Sequence, residues 1–165
     1  MSLRVGFVET SRLWRGAIPA RRLARRAIEA TLRECRLELQ RDAEVCVNLV
    51  GDVDMRALNA HWRGRDAPTN VLSFPAAEPS HVREAKLLGD VLIAFETVNR
   101  EAEDEGKTLA DHFSHLVVHG FLHLIGFDHV DDARAAEMEA LEIRVLARLG
   151  VADPYAQREL MDAAP

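Results

Sequence analysis

Seven histidines occur in this 165-residue chain, and four of them (His112, His115, His119 and His123) are spaced for one stripe of a helix. At about 100° per residue their directions fall within roughly 80° of one another. His119 and His123 stand one helical turn apart, the spacing at which two imidazoles grip a single metal ion. A third ligand from the next turn of a straight helix would have poor geometry. Gly126 removes that difficulty, because a left-handed glycine after the helix reverses the chain and can return His129 to the same ion. Three nitrogen ligands leave a fourth position open, the arrangement of a catalytic rather than a closed structural site. Their geometry admits zinc, nickel, copper or cobalt alike. His112 and His115 read as wall residues behind the ligands.

The string HGFLHLIGFDH at 119–129 has the spacing of the metzincin proteases, HExxHxxGxxH, with one departure. Gly120 stands where a protease carries its general-base glutamate, so a metalloprotease is an alternative that the chemistry disfavours. Glycine inside a helix also costs about 1 kcal/mol relative to alanine. Close approach by a neighbouring strand or by substrate would explain it. A second segment, HWRGRDAPTNVLSFP at 61–75, is a polar, cation-bearing loop feeding a strand. Arg63, just before Gly64, could present its guanidinium to a phosphate bidentately. Asp128, beside His129, is a candidate to orient a ligand, and His115 is a candidate proton shuttle.

The elements that must position these residues follow from periodicity. RVGFVE (4–9), EVCVNLV (44–50), residues 70–74 and LLGDVLIAF (87–95) alternate or run apolar as strands. Residues 20–33 form an amphipathic helix, with Leu23, Ala27, Ile28 and Leu32 on its apolar stripe. Arg21, Arg22, Arg25 and Arg26 lie largely off that stripe: a solvated face, or a contact surface for RNA. Asp52 is expected to cap a short helix to about Trp62, residues 76–86 read as a loop, and 96–105 form a polar helix. Thr108 and Asp111 make a capping box that opens the histidine helix, which runs to about Ile125. Asp131 or Asp132 starts a last helix carrying Met138, Leu141, Val145 and Leu149 at helical spacing. Strands gathered before helices define an α+β domain, single over 1–165, with its last ten or so residues a frayed tail.

With 48% hydrophobic and 29% charged residues, the chain is excluded from the collagen-like, disordered and disulfide-scaffold classes. It holds neither a signal-peptide run nor a membrane-spanning one. Cys35 and Cys46 have no paired spacing and read as reduced core residues of a cytoplasmic protein. The net charge of −6 conceals an asymmetry, +5 over residues 1–65 against −11 over 66–165. Nineteen of the 21 basic residues are arginine. An acidic balance argues against a non-specific polyanion coat, yet the basic N-terminal third leaves room for a local anion-binding face.

The two segments at 61–75 and 119–129, with LLGDVLIA at 87–94 and EMEALEIRVLARLGVADPY at 137–155, resemble the YbeY family of bacterial endoribonucleases. One family feature differs: Phe127 stands where tyrosine is usual. The resemblance implies a single-strand-specific, metal-dependent endoribonuclease of the cytoplasm, acting on ribosomal RNA at the 3′ end of the small-subunit RNA and in ribosome quality control. It implies one zinc ion per chain on His119, His123 and His129, and an essential arginine at Arg63. It also implies a mixed sheet of about four strands packed with about five helices, with the metal site at the end of a central helix. Its partners would be single-stranded RNA, ribosomal RNA and the small ribosomal subunit, with no membrane. The third reading, a ribosome-assembly factor with a structural metal, requires a fourth ligand, for which His61, His112 and His115 are the histidine candidates. The general base, the choice between water and a 2′-hydroxyl as nucleophile, and the oligomeric state stay open at this stage.

Overall fold

The computed structural model describes residues 3–156, so the expected frayed tail lies outside the described residues. Four strands, β1 (Arg4–Glu9), β2 (Glu44–Val50), β3 (Val71–Pro75) and β4 (Leu87–Ala94), form one mixed sheet in the order β1-β2-β4-β3. Among the described residues the α-helices are α1 (Ala20–Glu34), α2 (Asp52–Arg63), α3 (Phe95–Asp104), α4 (Leu109–Leu124) and α5 (Asp132–Leu149). Short 3₁₀ turns at Arg12–Trp14 and Pro79–Glu84 complete the order, the second within the segment expected to be loop. The fold is α+β, as the element order predicts.

Strands β1, β2 and β4 run parallel, and β3 pairs antiparallel with β4 from Val71 opposite Ile93 to Pro75 opposite Gly89. Because a strand alternates faces, β4 supplies two cores at once. Val91 and Ile93, with Leu88 brought to the same side by the bulge between Leu87 and Gly89, join Ile28, Phe113, Phe121, Met138 and Leu146 beneath α1, α4 and α5. Leu92 and Ala94 turn to the other face, where they meet Met55, Val50 and Leu72 under α2. A strand buried on both sides reads as a continuous apolar run, and VLIA at 91–94 does, while Asp90 before it accepts from Asn48 Nδ2 at 3.0 Å. Helix α4 packs against α1, α3, α5 and strands β3 and β4. Its apolar residues surround it almost completely, which is the pattern of a buried helix.

Helix ends show which side chains satisfy orphaned backbone groups. Thr108 Oγ1 accepts the Asp111 N–H at 3.1 Å, and Asp131 accepts the Arg134 N–H at 2.9 Å, as their positions predict. Asp52 corrects its expectation. Gly51 occupies the N-cap of α2, and Asp52 already lies in the first turn. Its Oδ1 instead accepts the Thr97 N–H at 3.1 Å and hydroxyl at 2.7 Å, while Glu96 Oε2 accepts the Asp52 N–H at 2.9 Å. The starts of α2 and α3 therefore cap each other, a tertiary arrangement that local spacing does not encode. Cys35 and Cys46 are unpaired and half-buried rather than core, and burial pushes both thiols up.

At Gly120 the approach of α4 to the sheet is tightest. A Cβ there would lie 2.6 Å from Val91 Cγ1, 3.1 Å from Ser73 Oγ and 3.2 Å from Val71 Cγ2. Ser73 Oγ donates to the Gly120 carbonyl at 2.9 Å, stitching β3 to the helix. The close strand is thus the reason for a glycine inside α4. Gly120→Ala gains about 1 kcal/mol of helix propensity but overpacks a stiff, buried valine at a cost of about 1–3 kcal/mol. The variant should therefore melt a few degrees lower. A thermal midpoint at or above that of the parent would show that β3 and β4 yield freely.

Candidate metal centre

Helix α4 ends in a reversal that the sequence prepares. Gly126 has φ of +100°, its N–H donates to the His123 carbonyl at 3.2 Å, and the Phe127 N–H donates to Leu122 at 3.0 Å. These are the two hydrogen bonds of a Schellman motif, which needs a residue tolerant of positive φ at this position. The chain then turns back past Asp128. Asp128 accepts the Val130 N–H at 3.3 Å through Oδ1 and Arg134 Nη1 at 2.9 Å through Oδ2. It holds the turn that presents His129 rather than bonding to a histidine ring.

The reversal brings three imidazoles together. One donor nitrogen from each of His119, His123 and His129 lies within 4.8 Å of the others. Nε2 of His119 and Nε2 of His123 are 3.2 Å apart. Two nitrogens each about 2.0–2.1 Å from one tetrahedral metal would sit roughly 3.3 Å apart, so the donor set fits such an ion. Burial, followed by the neighbouring His119 and His129, lowers the pKa of His123 to about 4, so near neutrality its ring is uncharged and keeps a lone pair for a metal.

Glu142 on α5 was not singled out from the sequence, and it organises the site from behind. Its side chain is 1% exposed, its Oε1 accepts His119 Nδ1 at 2.6 Å and its Oε2 accepts His115 Nε2 at 2.9 Å. The Tyr155 hydroxyl donates to Oε2 as well. Burial alone would raise this carboxyl, but the hydrogen bonds and charges of His115 and His119 prevail and bring it to about 2. A carboxylate can only accept, so it fixes the proton of His119 on Nδ1 and directs Nε2 toward the other donors. The signal was present in the sequence as one acid on an apolar stripe, between Leu141 and Val145.

A cavity of about 830 Å³ opens above the three rings, and Arg63, Arg65, Ser73, Phe127 and Asp128 also line it. Arg63 reaches it from the last turn of α2, around the edge strand β3, with Nη2 donating to the Ser73 carbonyl at 3.4 Å. Its guanidinium forms no ion pair among the described residues, whereas Arg56 on the same helix is occupied by Asp66 at 2.7 Å. The other sequence candidates lie elsewhere. His115 and His112 face a smaller cavity beside Tyr155, and His112 bonds Glu101 at 2.7 Å. His61 is exposed on α2. Arg21 and Arg25 lie over the Phe7 ring of β1, at the sheet edge opposite β3. Neither they nor Arg22 and Arg26 line the large cavity.

An α+β domain with three imidazoles converging beneath an open cavity, and an unpaired guanidinium on its wall, has the make-up of a metal-dependent hydrolase for an anionic substrate. A family model described as Endoribonuclease YbeY matches residues 15–150. A Bradyrhizobium protein named Endoribonuclease YbeY is 52% identical over 153 residues, covering 90% of each chain. One from Rhodopseudomonas palustris with the same name is 51% identical over 152 residues, covering 90% of this chain and 88% of that protein. A solution structure from Thermotoga maritima shares the fold with a TM-score of 0.56 at 24% identity, covering 93% of this chain and 98% of that one. The chain belongs to the YbeY family of endoribonucleases, which are RNA-cleaving hydrolases.

Neither alternative reading is favoured. Gly120 has no space for the carboxylate of a protease, since even a Cβ would meet Val91 at 2.6 Å. Among the described residues, the group able to converge on one ion comprises three histidines, without the fourth ligand of a closed site. The Glu142 contact makes a separate prediction. Glu142→Gln should preserve the fold and weaken divalent-metal affinity about 10- to 100-fold, because an amide offers one acceptor oxygen where the carboxylate offers two to His115 and His119, and its negative charge is gone. Competition with a chromophoric chelator reads this directly, and unchanged affinity would assign Glu142 to packing alone.

Proposed function

We propose that this chain is a single-strand-specific endoribonuclease that matures the 3′ end of the small-subunit ribosomal RNA in the cytoplasm and takes part in ribosome quality control. In this reading His119, His123 and His129 hold one zinc ion per chain, and Arg63 is the catalytic arginine. The observation that carries it is the convergence of three imidazole donors under a cavity whose wall carries the unpaired Arg63 guanidinium.

The bound metal would supply Lewis acidity toward a phosphoryl oxygen or a water. The remaining roles fall to side chains. Arg63, tethered to the Ser73 carbonyl and lying over Phe74 with its guanidinium 6.0 Å from the ring centroid, offers preorganised donors to charge that develops on the phosphate. Arg65 extends the positive wall along the cavity. Glu142 holds His119 in one tautomer, and Asp128 holds the turn carrying His129. Arg21, Arg22, Arg25 and Arg26, about three strand spacings or roughly 14 Å across the sheet, would meet only RNA that extends beyond the cleft. Ribosomal RNA and the small subunit supply such extended partners.

His123→Ala should lose stoichiometric zinc, measured on the purified protein by atomic emission. Arg63→Ala should retain zinc and fold yet lose about 10²–10³ in cleavage rate on single-stranded RNA, the usual effect of removing one preorganised donor. Labelled single-stranded RNA, the matching duplex and casein, each with and without chelator, test the substrate class. Chelator-sensitive digestion of casein with intact RNA would return the reading to a protease. A fully active Arg63→Lys would reduce the role of Arg63 to simple charge.

A further inference from the structure

Helix α2 carries a large aromatic residue that its own phase would bury. Met55 and Asn59 are its buried positions, 0% and 5% exposed. Trp62 lies seven residues after Met55, within about 20° of the same direction on a helix. Yet Trp62 is 61% exposed. By its last turn α2 has reached the edge strand β3 of the sheet, where no further strand lies beneath it. Among the described residues, the aromatic rings beside the indole are those of Phe74 and His61, at ring-centroid distances of 5.9 Å and 4.8 Å, and both meet it edgewise instead of stacking.

The exposed indole adjoins the cavity wall. Arg63, the next residue, lies over the same Phe74 ring and lines the cavity, and Arg65 follows on the rim. Neither arginine is ion-paired among the described residues, so the aromatic surface is bordered by available positive charge. Alternating guanidinium groups and open aromatic rings make a surface suited to single-stranded nucleic acid. The cations follow the phosphates, while a base can stack only if it is not already stacked within a duplex.

We infer that Trp62 is a base-stacking platform, which receives the nucleobase adjoining the phosphate held at Arg63 and thereby contributes to selection of single strands. The inference rests on the ribonuclease reading above. The chain has two tryptophans, and Trp14 is 2% exposed, so changes in the accessible emission report Trp62. The zinc-loaded protein is titrated with a short single-stranded oligoadenylate made cleavage-resistant by 2′-O-methyl and phosphorothioate groups, and with an abasic strand of equal length. The base-bearing strand should quench the emission and bind more tightly than the abasic one. Trp62→Ala should weaken binding of the base-bearing strand roughly 5- to 100-fold and raise KM on cleavable single-stranded RNA with little change in kcat. Trp62→Phe should restore most of both, and binding of duplex RNA should be unaffected by either change. Equal quenching by the abasic strand, or an unaltered affinity and KM for Trp62→Ala in an enzyme that cleaves RNA normally, overturns the platform and leaves the ribonuclease reading intact. A parent protein that neither binds nor cleaves RNA overturns both.

Discussion

The separation between α4 and the edge of the sheet is set at Gly120, where van der Waals contact with Val91 and Val71 leaves no room for a methyl group. Much of the site depends on this spacing. The Ser73 hydroxyl can reach the helix carbonyl only because the helix lies this close. The same strand residue offers its own carbonyl to Arg63. One short stretch of β3 therefore ties the helix that carries the histidines to the helix that carries the arginine. The three imidazoles and the Arg63 guanidinium come from opposite faces of the sheet, and they meet because β3 is an edge that a long side chain can pass around.

Charge is handled differently on the two sides of the histidine cluster. Behind it, Glu142 is buried and anionic, satisfied by His115, His119 and Tyr155. In front, the cavity wall carries Arg63 and Arg65, without ion pairs among the described residues, beside Asp128, which Arg134 engages. Burying a carboxylate is costly unless it is fully hydrogen-bonded, and here each partner is a donor. The arrangement combines a negative charge that increases the basicity of His119 with positive groups on the cavity wall.

The sheet order explains why the arginine-rich helix is not part of the cleft. Helix α1 follows the first strand, and β1 lies at the edge farthest from β3. Its guanidinium groups pack over Phe7 and, for Arg25, donate to the Val5 carbonyl at 3.3 Å. Part of that charge cluster thus serves to cover an exposed strand edge, a common need where backbone groups and an aromatic ring would otherwise face water or another chain.

Periodicity and spacing alone determined the four strands, the five α-helices, the histidine pair one turn apart and the glycine reversal that returns His129. These are local properties: a strand alternates, a helix repeats, and a C-terminal glycine acts on the residues beside it. The close approach at Gly120 was legible as well, because a helix-interior glycine requires a reason. Tertiary structure decided what no window of sequence contains. Asp52 caps its neighbour α3 instead of its own helix, because the two N-termini meet only after folding. Glu142 becomes the partner of His119 from 23 residues away. Arg63 enters the cleft while Arg21, Arg22, Arg25 and Arg26 do not, and Trp62 is left exposed on a stripe that should be buried. Each of these depends on which element lies beside which, and strand order and the position of the sheet edge are set by long-range packing that local patterns do not encode.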